Sequence, residues 1–323
     1  MIEPISGLAS DLGAAVAEPT DADPAIPPVV LVHGIHDNLR RFLHPLDGLS
    51  DRDFAIPAFD PDVPPRPVSP REARKVRLLE ALHDRGLRAL AYSYQRPGLR
   101  SSAILPLDDA VRGLDSMIER ARSRFDSDDV TIAGHSRGGL VARACLARPG
   151  VARKVAKLVT LATPHEGSAV ATLGEEAIAR GLAMAERAAS AVRLDFVAAI
   201  ATLFRSYRAL APRGEEIERL RAEGFPILRA GIAAAAGDVS AFVRYALPFG
   251  SGAFPGDLAA RFPALSVPEF RDGEGDMLVS VASALAVPEG SRTRVFGANH
   301  LTLCHRTEPI EFVAEEARAA RAV

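Results

Sequence analysis

The stretch DDVTIAGHSRGGLVARACLA, Asp128–Ala147, limits the fold more than any other part of this chain. A short apolar run, Val130–Ala133, passes through one glycine-rich turn directly into a segment with helical spacing. A strand that hands over to a helix in so few residues is the repeating unit of a parallel sheet. The unit recurs along the chain. PPVVLVHGI (Pro27–Ile35), Leu87–Tyr94 and Val155–Pro164 read as further buried strands, continuous rather than alternating because helices cover both faces of such a sheet. Between them, Arg71–Gly86 and Leu107–Phe125 carry helical periodicity. Strand signal returns at Phe225–Ala236 and Ser291–His300, and a closing helix starts with Pro309 in its first turn, where its missing N–H costs nothing. The fold class expected is α/β, a mostly parallel doubly wound sheet.

The alternation breaks at about Ala169. Residues 169–224 read as helical throughout, with Phe196, Val197, Ile200, Leu203, Phe204 and Tyr207 on one apolar face. An all-helical insertion in a strand–helix domain is expected to form a cap over the ends of the sheet. The core is then 27–168 together with 225–323. Residues 1–26, rich in Ala, Asp and Pro, read as a flexible N-terminal arm, and the proline-dense 57–70 as a long loop.

Charge and cysteine content narrow the functional classes. A formal net charge of −2 over 323 residues offers no electrostatic footprint for nucleic acid or an anionic membrane. Two cysteines, Cys145 and Cys304, cannot build a disulfide framework; Cys145 sits in an apolar helical stretch and reads as core. The first basic residue is Arg40, preceded by Glu3, Asp11, Glu18, Asp21 and Asp23, unlike a secretory leader. No apolar run has the length of a membrane span. A cytoplasmic protein is the expectation, with no oligomeric state specified.

Within the opening stretch, Ser136 stands between Gly134 and Gly138. A nucleophilic serine on a strained strand-to-helix turn needs such glycines, because backbone closes on backbone there. It also needs a base and an acid, downstream in that order. Of the histidines after Ser136, His165 follows the fourth strand too soon to leave room for an acid. His300 ends the last strand, the expected place for the base, and His305 is the weaker candidate. For the acid, Asp276 lies 24 residues before His300 at the end of a glycine-rich stretch, with Asp272 and then Asp238 as alternatives. Donors to a developing oxyanion are expected from the backbone N–H groups of Arg137 and Ile35. His33 reads as a brace of the first loop. His36, His165, Phe196 and Phe204 are candidates to line a substrate site. No metal-binding spacing and no cofactor motif is present.

Together these segments resemble the α/β-hydrolase superfamily, specifically its bacterial lipase and GPI inositol-deacylase-like branch. The likeness rests on VVLVHGI, IAGHSRGGLVAR, LVTLATPHEGS and EGDMLVS with GANHLTL; Leu158–Ser168 is similar to the TPH-x-GS segment of such lipases. The resemblance implies Ser136 as nucleophile, His300 as base, Asp276 as its orienting acid, and Ile35 and Arg137 as the oxyanion hole. It implies a serine carboxylic-ester hydrolase acting through an acyl-enzyme on a small ester, and the greasy cap face adds the expectation of an apolar acyl group. A thioesterase or acyltransferase with the same triad, and a non-catalytic binding protein of the same fold, are the alternatives.

Overall fold

The computed structural model describes residues 2–4, 14–34, 78–92, 106–172, 208–238, 267–270, 273–276, 278–298, 300 and 303–321. Strands β1 (Ile2–Pro4), β2 (Ala14–Ala17), β3 (Val29–Val32), β4 (Ala89–Tyr92), β5 (Val130–His135), β6 (Val155–Leu161), β7 (Ile232–Gly237) and β8 (Arg292–Phe296) form one sheet. Its order is β1-β2-β4-β3-β5-β6-β7-β8. From β4 to β8 every pairing is parallel. The helices are α1 (Leu78–His83), α2 (Leu107–Phe125), α3 (Arg137–Leu146), α4 (Glu215–Glu223), α5 (Val281–Ala284) and α6 (Thr307–Ala319).

Strand geometry explains the continuous apolar runs. Successive side chains leave a strand on opposite faces, so each run feeds two cores. Val30, Val32 and Ile132 pack with Leu114, Met117 and Leu140 of α2 and α3. Val29, Leu31 and Val159 pack with Leu78 and Leu82 of α1 and Phe312 and Val313 of α6. On the second face a charge cluster centres on the buried Glu316 carboxylate. Glu316 of α6 meets Lys157 Nζ of β6 at 2.5 Å and Arg292 Nη1 of β8 at 2.6 Å.

Two expectations need correction. Residues 1–26 are not a loose arm throughout: β2 pairs antiparallel with β4, and β1 with β2. Small, weakly patterned residues gave no strand signal; the pairing comes from the open edge of β4, whose polar backbone groups need partners. The Arg88 guanidinium holds the same segment down, donating to Pro24 O at 3.0 Å, Ile26 O at 2.7 Å and Phe125 O at 2.7 Å. The strand read over Phe225–Ala236 begins only at Ile232, after Gly231 with φ 75°. Most of residues 169–224, expected to form a cap, lies outside the described residues, Phe196 and Phe204 included, as does the proline-dense loop.

Candidate active site

Ser136 follows β5 directly and precedes the first residue of α3, with φ 54° and ψ −128°. For a residue with a Cβ this is a strained conformation, at a cost of about 1–3 kcal/mol. The turn is held by what surrounds it. Ser136 N–H donates to Leu161 O of β6 at 2.8 Å. A Cβ on Gly134 would stand 2.6 Å from Gly139 N, and one on Gly138 would stand 2.5 Å from His33 O. Both glycines are therefore required by close approach, and the approach at Gly138 presses the turn against the end of β3.

His300 follows β8, and Asp276 precedes α5 in the connection between β7 and β8. The three side chains meet in one line: Ser136 Oγ to His300 Nε2 is 2.9 Å, and His300 Nδ1 to Asp276 Oδ2 is 2.8 Å. A carboxylate only accepts, so the imidazole proton sits on Nδ1 and Nε2 accepts from the serine hydroxyl. Asp276 is itself fixed: its Oδ1 accepts from Leu278 N at 3.0 Å and Val279 N at 2.7 Å. Its carbonyl accepts the His300 N–H at 2.9 Å, so the two residues are tied by backbone as well as side chain. All three residues are buried.

The segment after β6 joins the parts. Thr163 lies against Gly139. Ser168 Oγ donates to Leu278 O at 2.6 Å, and Ser283 Oγ to Gly167 O at 2.6 Å. Thus Leu158–Ser168 is the filling between the serine turn and the acid loop, which gives physical content to its similarity with the lipase segment.

Residues 103–179 match the family model of the PGAP1-like alpha/beta domain. That span holds α2, β5, the serine turn, α3 and β6. Among solved structures, the mature form of Bacillus licheniformis lipase BlEst2 is similar at 18% identity, with TM-score 0.51, over 95% of this chain and 98% of that one. Its propeptide form gives TM-score 0.58 at 18% identity, over 96% of this chain and 54% of that one. A proline iminopeptidase from Mycobacterium smegmatis gives TM-score 0.50 at 10% identity, over 99% of each chain. This chain has the α/β-hydrolase fold. No curated protein matches it in sequence.

In an α/β-hydrolase fold, reacting groups gather outside the carboxyl ends of the parallel strands, and Ser136 and His300 lie just beyond those of β5 and β8. Of the other expected residues, Arg137 opens α3, where helix N–H groups have no partner within the helix. Ile35, His36, Asp272, Phe196 and Phe204 lie outside the described residues. Asp238 accepts from Gly273 N at 3.1 Å and so braces the acid loop. His305 sits in a short 3₁₀ turn after His300. His33 Nδ1 lies 2.7 Å from Gly34 O, within its own loop.

His165 does not line an opening. It is buried, with Nε2 3.1 Å from Thr160 Oγ1, Nδ1 3.4 Å from Arg143 Nη1, and its ring 5.2 Å from that of Phe225. Burial, followed by the neighbouring Arg143, holds its pKa well below 6.5, so it stays neutral. Both cysteines are buried thiols; burial pushes the Cys145 thiol up to about 12, which removes it as a nucleophile. Among the described residues, no cluster of three or more His, Cys, Asp or Glu side chains is placed to hold a metal ion. No helix there is long and apolar enough to cross a membrane.

Three features escaped sequence reasoning. His135 Nε2 lies 3.0 Å from the carbonyl of His300, with ring centroids 4.9 Å apart, so it steadies that residue. Its place between Gly134 and Ser136 was the available signal. Glu269 is buried next to the acid loop, where its Oε1 accepts from Ala169 N at 2.7 Å. Burial, and to a smaller degree the charge of Asp276, pushes its carboxyl above the usual range. The third is the partner of the Arg137 side chain, Glu216, which no local pattern marks.

Proposed function

We propose that this protein is a serine carboxylic-ester hydrolase working through an acyl-enzyme on Ser136. The observation that carries the reading is the hydrogen-bonded line Ser136–His300–Asp276, with the serine on a strained turn at a helix N-terminus. Ser136 Oγ attacks the ester carbonyl while its proton passes to His300 Nε2. The C–O bond to the alcohol then breaks, and the same proton leaves with the alcohol. Water next attacks the acyl group, giving one proton to Nε2. The carboxylic acid departs, and Ser136 recovers its hydroxyl proton from His300. Asp276 holds the imidazole tautomer throughout and stabilises the imidazolium. The oxyanion is met by the Arg137 N–H, with Ile35 as the second donor, and each such donor lowers the barrier by about 3–4 kcal/mol.

The experiment is turnover of p-nitrophenyl esters beside labelling with a fluorophosphonate. Ser136→Ala is expected to lose about 10⁶ in kcat and to take no label, whereas the wild type is labelled on Ser136. A Ser136→Ala enzyme that keeps its activity rules the reading out. Acyl-CoA substrates and added alcohols, run in parallel, separate hydrolysis of oxygen esters from thioester cleavage and acyl transfer.

A further inference from the structure

The nucleophile helix grips α4 at both ends with buried arginines. At its first residue, the Arg137 side chain is fully buried and forks onto Glu216: Nε to Oε2 at 3.0 Å, Nη2 to Oε1 at 2.5 Å. Six residues on, Arg143 donates to Leu220 O at 2.8 Å and Gly224 O at 3.2 Å, with its guanidinium 3.8 Å above the Phe225 ring. The segment that leads into α4 is fastened to the loop after β6, since Ser168 N–H donates to Leu210 O at 2.8 Å. Glu216 is thus a fixed point against which the first residue of α3 is held.

We infer that Glu216 is a positioning residue for the oxyanion site, acting through the side chain of Arg137 on the backbone N–H of the same residue. This rests on the esterase reading above. A planar guanidinium bound at two points by a carboxylate has one orientation. Because Arg137 directly follows the strained Ser136, the peptide unit joining them carries both the nucleophile and the donor. Without Glu216, the buried guanidinium loses the carboxylate that fixes it at two points. As the freed side chain shifts, the first turn of α3 that carries it shifts too, and the strained φ of Ser136 relaxes. A donor that drifts by a fraction of an ångström fails the carbonyl oxygen only as charge develops on it, so kcat suffers and substrate binding does not.

The test compares wild type, Glu216→Ala and Glu216→Gln on p-nitrophenyl butyrate and its thiono (C=S) analogue. Sulfur uses an oxyanion site poorly, so the oxo-to-thiono rate ratio reports on that site and not on general stability. Expected for Glu216→Ala is a kcat about 10- to 100-fold lower, a KM within twofold, and a ratio that falls with kcat. Glu216→Gln keeps the shape without the charge and is expected to fall in the same direction by less. It decides the matter by the same criterion if the alanine variant does not fold. Glu316→Gln, at the buried cluster on the opposite face, is the control: it lowers Tm and leaves kcat and the ratio unchanged. A folded Glu216 variant with wild-type kcat, or with reduced kcat at an unchanged ratio, overturns the inference. Absence of wild-type turnover and of label on Ser136 overturns the esterase reading instead.

Discussion

Ser136 and His165 show how single residues here are set by neighbours rather than by their own preference. Ser136 accepts a backbone conformation that costs energy because Leu161, Gly134 and Gly138 leave it no other. His165 accepts neutrality because it is buried and stands beside the Arg143 guanidinium. That neutrality has a pH signature. With the folded-state pKa depressed below 6.5, the stability held above pH 6.5 is lost as pH falls, because the unfolded chain takes up a proton that the folded chain refuses. Between pH 6.5 and 5.5 the wild type is expected to lose about 1 kcal/mol that His165→Gln does not lose. Urea unfolding of both proteins at the two pH values measures it; equal losses would exclude the assignment.

At the scale of elements, periodicity carried the reading where packing and pattern coincide. Helix α2 occupies Leu107–Phe125 as its spacing requires, because a single apolar stripe decides its ends. Ser136, Asp276 and His300 were legible for a different reason: chain order and strand ends fix where they stand. Elements made by pairing alone were not legible. The alanines of β2 carry no β-branched signal, so only its pairing with β4 identifies it. Glu216 and Glu269 were invisible because their partners are 79 and 100 residues away in sequence. The closing helix gives the prediction at this scale. Glu316→Ala leaves Lys157 buried in β6 without its carboxylate, and breaking such a pair costs about 3 kcal/mol. Chemical unfolding should show that loss with ester turnover intact; a change below about 0.5 kcal/mol would mean that the pair contributes nothing net.

For the molecule as a whole, the N-terminal segment is part of the sheet. Removing residues 1–25 uncovers β4, whose Ala89–Tyr92 are fully buried, and strips Arg88 of its Pro24 acceptor. The truncated protein is expected to melt lower and to self-associate through the bared edge, seen by differential scanning calorimetry and light scattering; an unchanged Tm in a monomeric sample would show the segment to be dispensable. The parallel register has a larger consequence. Ser136 and His300 lie just after β5 and β8, strands joined in the sheet through β6 and β7, and a strand advances about 3.3 Å per residue. One residue gained or lost within β8 therefore displaces the imidazole by more than the 2.9 Å that separates it from the hydroxyl. On the esterase reading, the sheet serves as a gauge block for proton transfer, and indels that three-dimensional packing could absorb would still silence the chemistry.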